Sequence, residues 1–337
     1  MPPASRPPIG TIAVVGAGAM GAMYADHFSR AGIRTLLVAR GERAARLRTQ
    51  PIRVNGHTLD AEVVDPLDAR WEASGPVGLV IVAVKHRQLP DAVELVRPLV
   101  SSDTTVLSVL NGLDSEEAIL RGLRQPGPTG TGPAVDVADE QVPLCIALAM
   151  DAEREANDVR YTQTGRLVFG HRHLMAGDEA GPDGRLESVR DALTRAGLEW
   201  SAPDDMLHEL WWKFRVNVGI NQPSAVLRAP YGAFAQPGPA RELMTALIEE
   251  VRTVAAAEGV ELTDADVSRW DSVLAGQPTV GMTSMHQDVL AGRPTEIDVF
   301  AGRVVSLGRQ HGIPVPYNQT MLWIVQALDR AAGASSS

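Results

Sequence analysis

The stretch Thr11-Ile-Ala-Val-Val15 passes directly into Gly16-Ala17-Gly18-Ala19-Met20-Gly21, and a helical pattern from Ala22 to Ala31 follows, closed by Gly32. The first five residues have the β-branched and small apolar character of a buried strand. Strand, glycine turn and helix in this order form the fingerprint of a dinucleotide-binding unit. Gly16 permits the tight turn, Gly18 lets the backbone approach a pyrophosphate, and Gly21 lets the helix pack closely on the strand. The helix N-terminus adds N–H donors and positive potential. All six residues, Gly16, Ala17, Gly18, Ala19, Met20 and Gly21, are therefore candidate cofactor contacts.

Outward from this unit, the next strand spans Thr35 to Ala39 and ends at Arg40, with Arg43 and Arg46 on the helix that follows. A site for NAD(H) offers a carboxylate at that strand end, to hold the ribose 2′-hydroxyl. A guanidinium suits a 2′-phosphate instead, so the pattern favours NADPH; a solvated arginine at a loop start would leave the preference open. Asn55-Gly56 marks a hairpin turn. Leu79 to Val84 and Thr104 to Leu110 are continuous apolar runs, as parallel strands covered on both faces require. They end in Lys85 and in Asn111-Gly112. Ligands of open α/β sheets bind beyond the carboxyl ends of strands, which makes Lys85 and Asn111 candidates, although a surface lysine and a turn asparagine account for the same residues.

The segment from Gln125 to Gln141 is rich in Pro, Gly and Thr and reads as a long mobile loop. Val142 to Met150 and Arg166 to Phe169 read as strands flanking a polar connection. His171 and His173 have no acidic or cysteine companions at ligand spacing, so no metal site is expected. A helix from Glu187 to Ala196 and the segment Trp200 to Pro203 then close a first domain, residues 1–203, with Met1 to Pro8 as a disordered tail.

From Asp204 the apolar period becomes helical and stays so, giving an all-helical second domain over residues 204–330 and a tail over 331–337. Its first helix ends near Pro223. On it Lys213, Asn217 and Asn221 fall at i, i+4 and i+8, one polar stripe among Trp211, Trp212, Phe214, Val218 and Ile220. Either a solvated face or a ligand wall produces such a stripe. Helices over Ala240 to Glu258, Ala265 to Leu274 and Thr283 to Ala291 follow. Thr295-Glu-Ile-Asp298 resembles a capping box, from which a helix should run to His311, with Glu296 in its first turn. Either core packing or a homodimer interface would use an apolar stripe on a C-terminal helix.

Composition narrows the function classes. A net charge of -10 without a Lys/Arg run excludes a nucleic-acid surface built on phosphate neutralisation. No apolar run is long enough to span a bilayer, and one cysteine, Cys145, excludes a disulfide framework. These features fit a cytoplasmic, soluble protein acting on a small molecule.

Gly16-Ala-Gly-Ala-Met-Gly21, Val82-Ala-Val-Lys85, Leu110-Asn-Gly112, Leu210-Trp-Trp-Lys213 with Asn217 and Asn221, Ser284-Met285 with Gln287-Asp288, and Thr295-Glu-Ile-Asp298 with the Gly312-Ile-Pro-Val-Pro316 tail occur in one order. In that order and spacing the chain resembles the ketopantoate reductases (2-dehydropantoate 2-reductases) over nearly its whole length. The resemblance implies an α/β fold, with an N-terminal Rossmann-type dinucleotide-binding domain holding NADPH, an all-helical C-terminal domain, and an active site in the cleft between them. It implies reduction of a 2-oxo acid to a 2-hydroxy acid, ketopantoate to pantoate, with Lys213 as general acid and Glu296 as its partner. It makes Asn217, Asn221, Ser284 and Asn111 substrate-binding residues, and places Arg40, Lys85, Asn111 and Glu296 at the cofactor. The chain departs from the family at Gln125 to Gln141, in the Cys145 to Glu155 segment, and at Gln222, where proline often follows the asparagine directly. A reductase of a different ketone or an imine, and an NADP(H)-binding sensor, are the alternative functions.

Overall fold

The computed structural model describes residues 6–68, 75–128, 132–172 and 184–334. The chain divides into two compact units, Met1–Met206 and Leu207–Ser337. The first unit contains β1 (Thr11–Val15), α1 (Ala19–Arg30), β2 (Arg34–Val38), α2 (Gly41–Thr49), β3 (Arg53–Val54), β4 (His57–Thr58), β5 (Glu62–Val64) and β6 (Leu79–Val82). It continues with α3 (Leu89–Val96), β7 (Thr105–Ser108), α4 (Ser115–Arg124), β8 (Leu144–Leu148), β9 (Glu153–Glu155), β10 (Asp158–Arg160), β11 (Arg166–Gly170), α5 (Gly184–Arg195) and β12 (Glu199–Ser201).

Five strands form a parallel sheet in the order β5-β2-β1-β6-β7. The apolar runs explain why: Ile12, Val14, Leu79 and Ile81 pack into one buried layer, and Ala13, Val15, Val80 and Val82 into the other. Strand order reverses between β1 and β6, the topological switch point at which such sheets bind ligands. Two smaller sheets, β4-β3-β10-β9 and β12-β11-β8, complete the unit. The Asn55-Gly56 hairpin forms as expected, with φ of 46° and 90° at the two turn residues. The polar connection after Met150 instead contains β9 and β10, and Trp200 lies in β12, paired parallel with β11.

The Gln125 to Gln141 segment is tied down where it is described. Buried Arg97 donates to the carbonyls of Gln125 and Pro133 at 2.8 and 3.1 Å, and the Arg124 guanidinium donates to Val137 O. Guanidinium groups supply the hydrogen bonds that an irregular backbone lacks. Of the two histidines read together, His173 lies outside the described residues.

The second unit is helical: α6 (Met206–Leu227), whose first residue is the last of the first unit, then α7 (Gly232–Ala235), α8 (Pro239–Ala257), α9 (Asp264–Ala275), α10 (Ser284–Leu290), α11 (Ala301–His311) and α12 (Pro316–Ala334). Three expectations are corrected. Pro223 does not end α6, which runs four residues further. Beside it the fully buried Gln222 side chain donates to Val218 O at 2.7 Å and to Asn318 Oδ1 at 3.3 Å. Thr295-Glu-Ile-Asp298 is not the cap of an α-helix: the Thr295 hydroxyl donates to Asp329 Oδ2 at 2.7 Å, and Glu296 precedes a single 3-10 turn, Ile297–Val299. Phe300, with φ -100° and ψ -91°, separates that turn from α11. Finally, Ala331–Ala334 continue α12 rather than forming a tail. Among the described residues, no helix is long and apolar enough to cross a membrane.

Candidate functional site

The register of the parallel sheet aligns the candidate cofactor residues of the first unit. Val15 pairs with Val38 and Val82, and Val82 with Ser108, so β1, β2, β6 and β7 end together. Immediately beyond those ends come the Gly16–Gly21 turn, Arg40, Lys85 and Asn111. Gly16 has φ +110°, and a Cβ there would lie 2.5 Å from Ala83 O, so the loops after β1 and β6 touch at the switch point. A Cβ on Gly21 would lie 1.8 Å from Gly16 O. At Gly18 it would meet only Ala83 O at 3.9 Å, so space is kept open where α1 begins. No acidic residue occupies the first turn of α1. An uncovered helix N-terminus beside open glycine backbone fits a pyrophosphate, by shape and by charge. We expect Gly21→Ala to displace the turn, lowering stability by about 1–3 kcal/mol and weakening nucleotide binding. Thermal unfolding with and without nucleotide tests this, and a variant matching the wild type in both would contradict the close packing.

Arg40 is exposed at the N-cap of α2. Lys85 is exposed, and its N–H donates to Gln88 Oε1 at 3.2 Å, starting the 3-10 turn after β6. Asn111 is half-buried, in a loop that Gly112 reverses with φ +100°. The base of this loop is closed by a buried chain of hydrogen bonds that sequence reading missed. Ser108 Oγ donates to Ser115 Oγ, which donates to Glu116 Oε2, each at 2.8 Å, and Cys145 N–H donates to Glu116 Oε1 at 3.2 Å. Burial pushes the Glu116 carboxyl up to about 7, against the opposing pull of these bonds and of Arg172. The sequence signal, an acidic residue in a first helical turn, suggests only a dipole contact; its burial depends on β8.

In the second unit, α6 presents Lys213, Asn217 and Asn221 at three successive turns of one helix, as the spacing predicts. The opposite side is clamped by α9. Trp212 Nε1 and Arg215 Nη2 donate to Asp266 O at 3.3 and 2.7 Å, and His208 bonds the Asp266 carboxylate at 2.9 Å. Burial raises the Asp266 carboxyl, but hydrogen bonds from Thr263 and His208 outweigh it and hold the group below the usual range. Arg269 forms a two-pronged ion pair with Glu209 at 2.7 and 2.8 Å and lies 3.8 Å from the Trp212 ring centroid. At about 100° per residue, this clamp lies roughly opposite the stripe and fixes its rotation. Lys213 is only 9% exposed and Asn221 only 6%. The Asn221 amide makes no side-chain hydrogen bond among the described residues, and its polar atoms are not sealed from solvent, so they are open to a ligand.

Ser284 is exposed and opens α10, whose N-cap is the neighbouring Thr283, accepting from His286 N–H at 3.2 Å. Glu296 is half-buried. Its segment packs along α6, because Phe300 lies 6.5 Å from Phe214, centroid to centroid, and Ile297 shares a core with Val226.

A family model described as ketopantoate reductase PanE/ApbA matches residues 12–173, and its C-terminal counterpart matches residues 205–329. The chain belongs to the ketopantoate reductase family. As a member it is an oxidoreductase, and its first unit has a Rossmann-type fold. The 2-dehydropantoate 2-reductase of Vibrio cholerae is 27% identical over 326 residues, 95% of this chain and 98% of the relative. That of Pyrococcus horikoshii is 24% identical, across 96% and 99%. The solved PanE/ApbA family ketopantoate reductase from Ralstonia eutropha is 25% identical, with a TM-score of 0.75 over 96% of this chain and 99% of that one. D-mandelate dehydrogenase, solved with NADH and anilino(oxo)acetate, has a TM-score of 0.78 at 22% identity over the same shares, which is likeness of fold alone.

Proposed function

We propose that this member of the family reduces a 2-oxo acid, ketopantoate, to the 2-hydroxy acid with NADPH. The observation that carries the reading is the α6 stripe, in which a buried lysine stands one turn from Asn217 and two turns from Asn221, whose amide makes no side-chain hydrogen bond among the described residues. When bound, a reduced nicotinamide supplies the hydride that joins the carbonyl carbon. Negative charge then develops on the carbonyl oxygen, and Lys213 stabilises it and transfers a proton from Nζ, leaving a hydroxyl. Glu296 is assigned as the carboxylate that keeps Lys213 protonated against desolvation, and as a contact of the cofactor. Asn217, Asn221 and Ser284 orient the oxo acid through uncharged donors and acceptors, with Asn111 at the reacting side. Gly16 to Gly21 and Lys85 hold the dinucleotide, and Arg40 favours the 2′-phosphate form. The carboxyl-end alignment of β1, β2, β6 and β7 supports that set.

Purified protein mixed with NADPH and ketopantoate should oxidise the nicotinamide, faster than with NADH. A panel of other oxo acids, ketones and imines tests the substrate: preference for one of these overturns ketopantoate, and binding without turnover of any makes the protein a sensor. Self-association belongs to the same reading. Trp323, Ile324 and Leu328 are exposed on α12, and a solved relative from Staphylococcus aureus is described as dimeric.

A further inference from the structure

We propose that Arg154, on the β9–β10 hairpin and outside the parallel sheet, completes an anion site with Arg40, Arg43 and Arg46 that binds the 2′-phosphate of the dinucleotide. The inference rests on the NADPH reading above and adds to it a residue from a different part of the chain.

The hairpin is brought to the glycine turn by specific bonds. β10 pairs in parallel with β3, which follows α2, and Asn157 Nδ2 donates to Gln50 O, just past the end of α2, at 3.3 Å. Arg154 is then held in place by neutral acceptors. Nε donates to Ala156 O at 2.7 Å, Nη2 to Asn157 Oδ1 at 3.3 Å, and Nη1 to Ala17 O, inside the Gly16–Gly21 turn. A guanidinium has five N–H groups, so this fixed group retains two for a ligand. Arg40, Arg43 and Arg46 recur at every third residue at the start of α2 and are exposed.

Arg43, Arg46 and Arg154 lie near enough to repel one another, although Glu42 shares the first turn of α2 and Glu153 and Glu155 flank Arg154. Burial, then Arg46, lowers the Arg43 pKa, and burial, then Arg43 and Arg46, lowers that of Arg154, as repulsion between neighbouring cations requires. Among the described residues none of the four arginines has a carboxylate within ion-pair distance. The carboxylate of Asp65, which meets the start of α2, accepts instead from Gly41 N–H at 2.8 Å and Leu67 N–H at 3.1 Å. In a chain of net charge -10, four arginines that make no ion pair among the described residues, about one glycine turn and the end of β2, suit an anion. In the proposed site the ribose phosphate is the anion that these arginines share, while the pyrophosphate lies at the N-terminus of α1.

Calorimetric titration of the full chain with adenosine 2′,5′-bisphosphate and with adenosine 5′-diphosphate tests the proposal without turnover. Both ligands carry two phosphates, and only the first places one on the 2′ oxygen. Arg154→Gln should weaken the 2′,5′-bisphosphate by roughly 10- to 100-fold and leave the 5′-diphosphate within about twofold. Equal weakening of both would overturn the proposal, making Arg154 a prop for the glycine turn, and so would no change in either. If Arg154→Gln does not fold, the exposed pair Arg43→Gln with Arg46→Gln should show the same selective loss, and unchanged selectivity there overturns the shared site. A wild type that fails to prefer the 2′,5′-bisphosphate removes the NADPH reading itself. A wild type that prefers it, with variants that do too, removes only this inference.

Discussion

Lys213→Ala should lower kcat by about 10²- to 10⁴-fold while leaving the affinity for the dinucleotide nearly unchanged. The lysine is the assigned proton donor to the carbonyl oxygen, and the residues assigned to hold the cofactor belong mainly to the first unit. The α6 helix should survive the substitution, because its rotation is set from the opposite side by His208, Trp212 and Arg215. Lys213→Met keeps most of the aliphatic volume and should fall by a similar factor, which separates loss of the amine from loss of packing. Initial rates at saturating cofactor and substrate, with nucleotide titration beside them, measure both quantities. If either variant turned over within about tenfold of wild type, another group would have to deliver the proton.

The second large effect concerns Glu116 and appears as a dependence of stability on pH. The folded chain raises this carboxyl from its ordinary 4.5 to about 7, through burial. Between those values the folded state holds a proton that the unfolded state has released. The stabilisation is therefore complete below about pH 4.5 and is lost as pH rises through about 7. The size follows from the shift, on the order of 3 kcal/mol. Glu116→Gln has no proton to lose, so relative to wild type it should gain stability by that order between about pH 5 and pH 8. Urea unfolding of both proteins at the two pH values reads the difference, and parallel pH profiles would show that Glu116 is not protonated in the folded chain. The same titration bears on the site, since Glu116, Ser115 and Ser108 close the base of the Asn111 loop.

The parallel sheet and its glycine turn were legible because both are local. Thr11–Val15 and Leu79–Val82 declare their burial by composition, and Gly16, Gly18 and Gly21 act within one turn. The α6 stripe was legible because helical spacing alone puts Lys213, Asn217 and Asn221 on one side. Its clamp was not, because Asp266 lies on α9 and nothing near His208 or Arg215 points to it. The capping-box reading of Thr295 failed for a related reason. Asp329, on α12, takes the threonine hydroxyl that a local cap would have used. Pro223 misled because proline usually breaks a helix, whereas α6 runs on through it to Leu227.

The pairing of β3 with β10 also has a consequence for the order in which the molecule is made. Asn55 bonds to Tyr161 across a sequence separation of 106 residues, and Arg53 pairs with Asp158 in the same small sheet. On a ribosome, β1, α1, β2 and α2 emerge and can collapse on one another well before the hairpin is synthesised. Closing so long a loop has an entropic cost that adjacent elements do not incur. The residues of the glycine turn thus leave the ribosome early, whereas Arg154 reaches Ala17 only after most of the first unit has been translated.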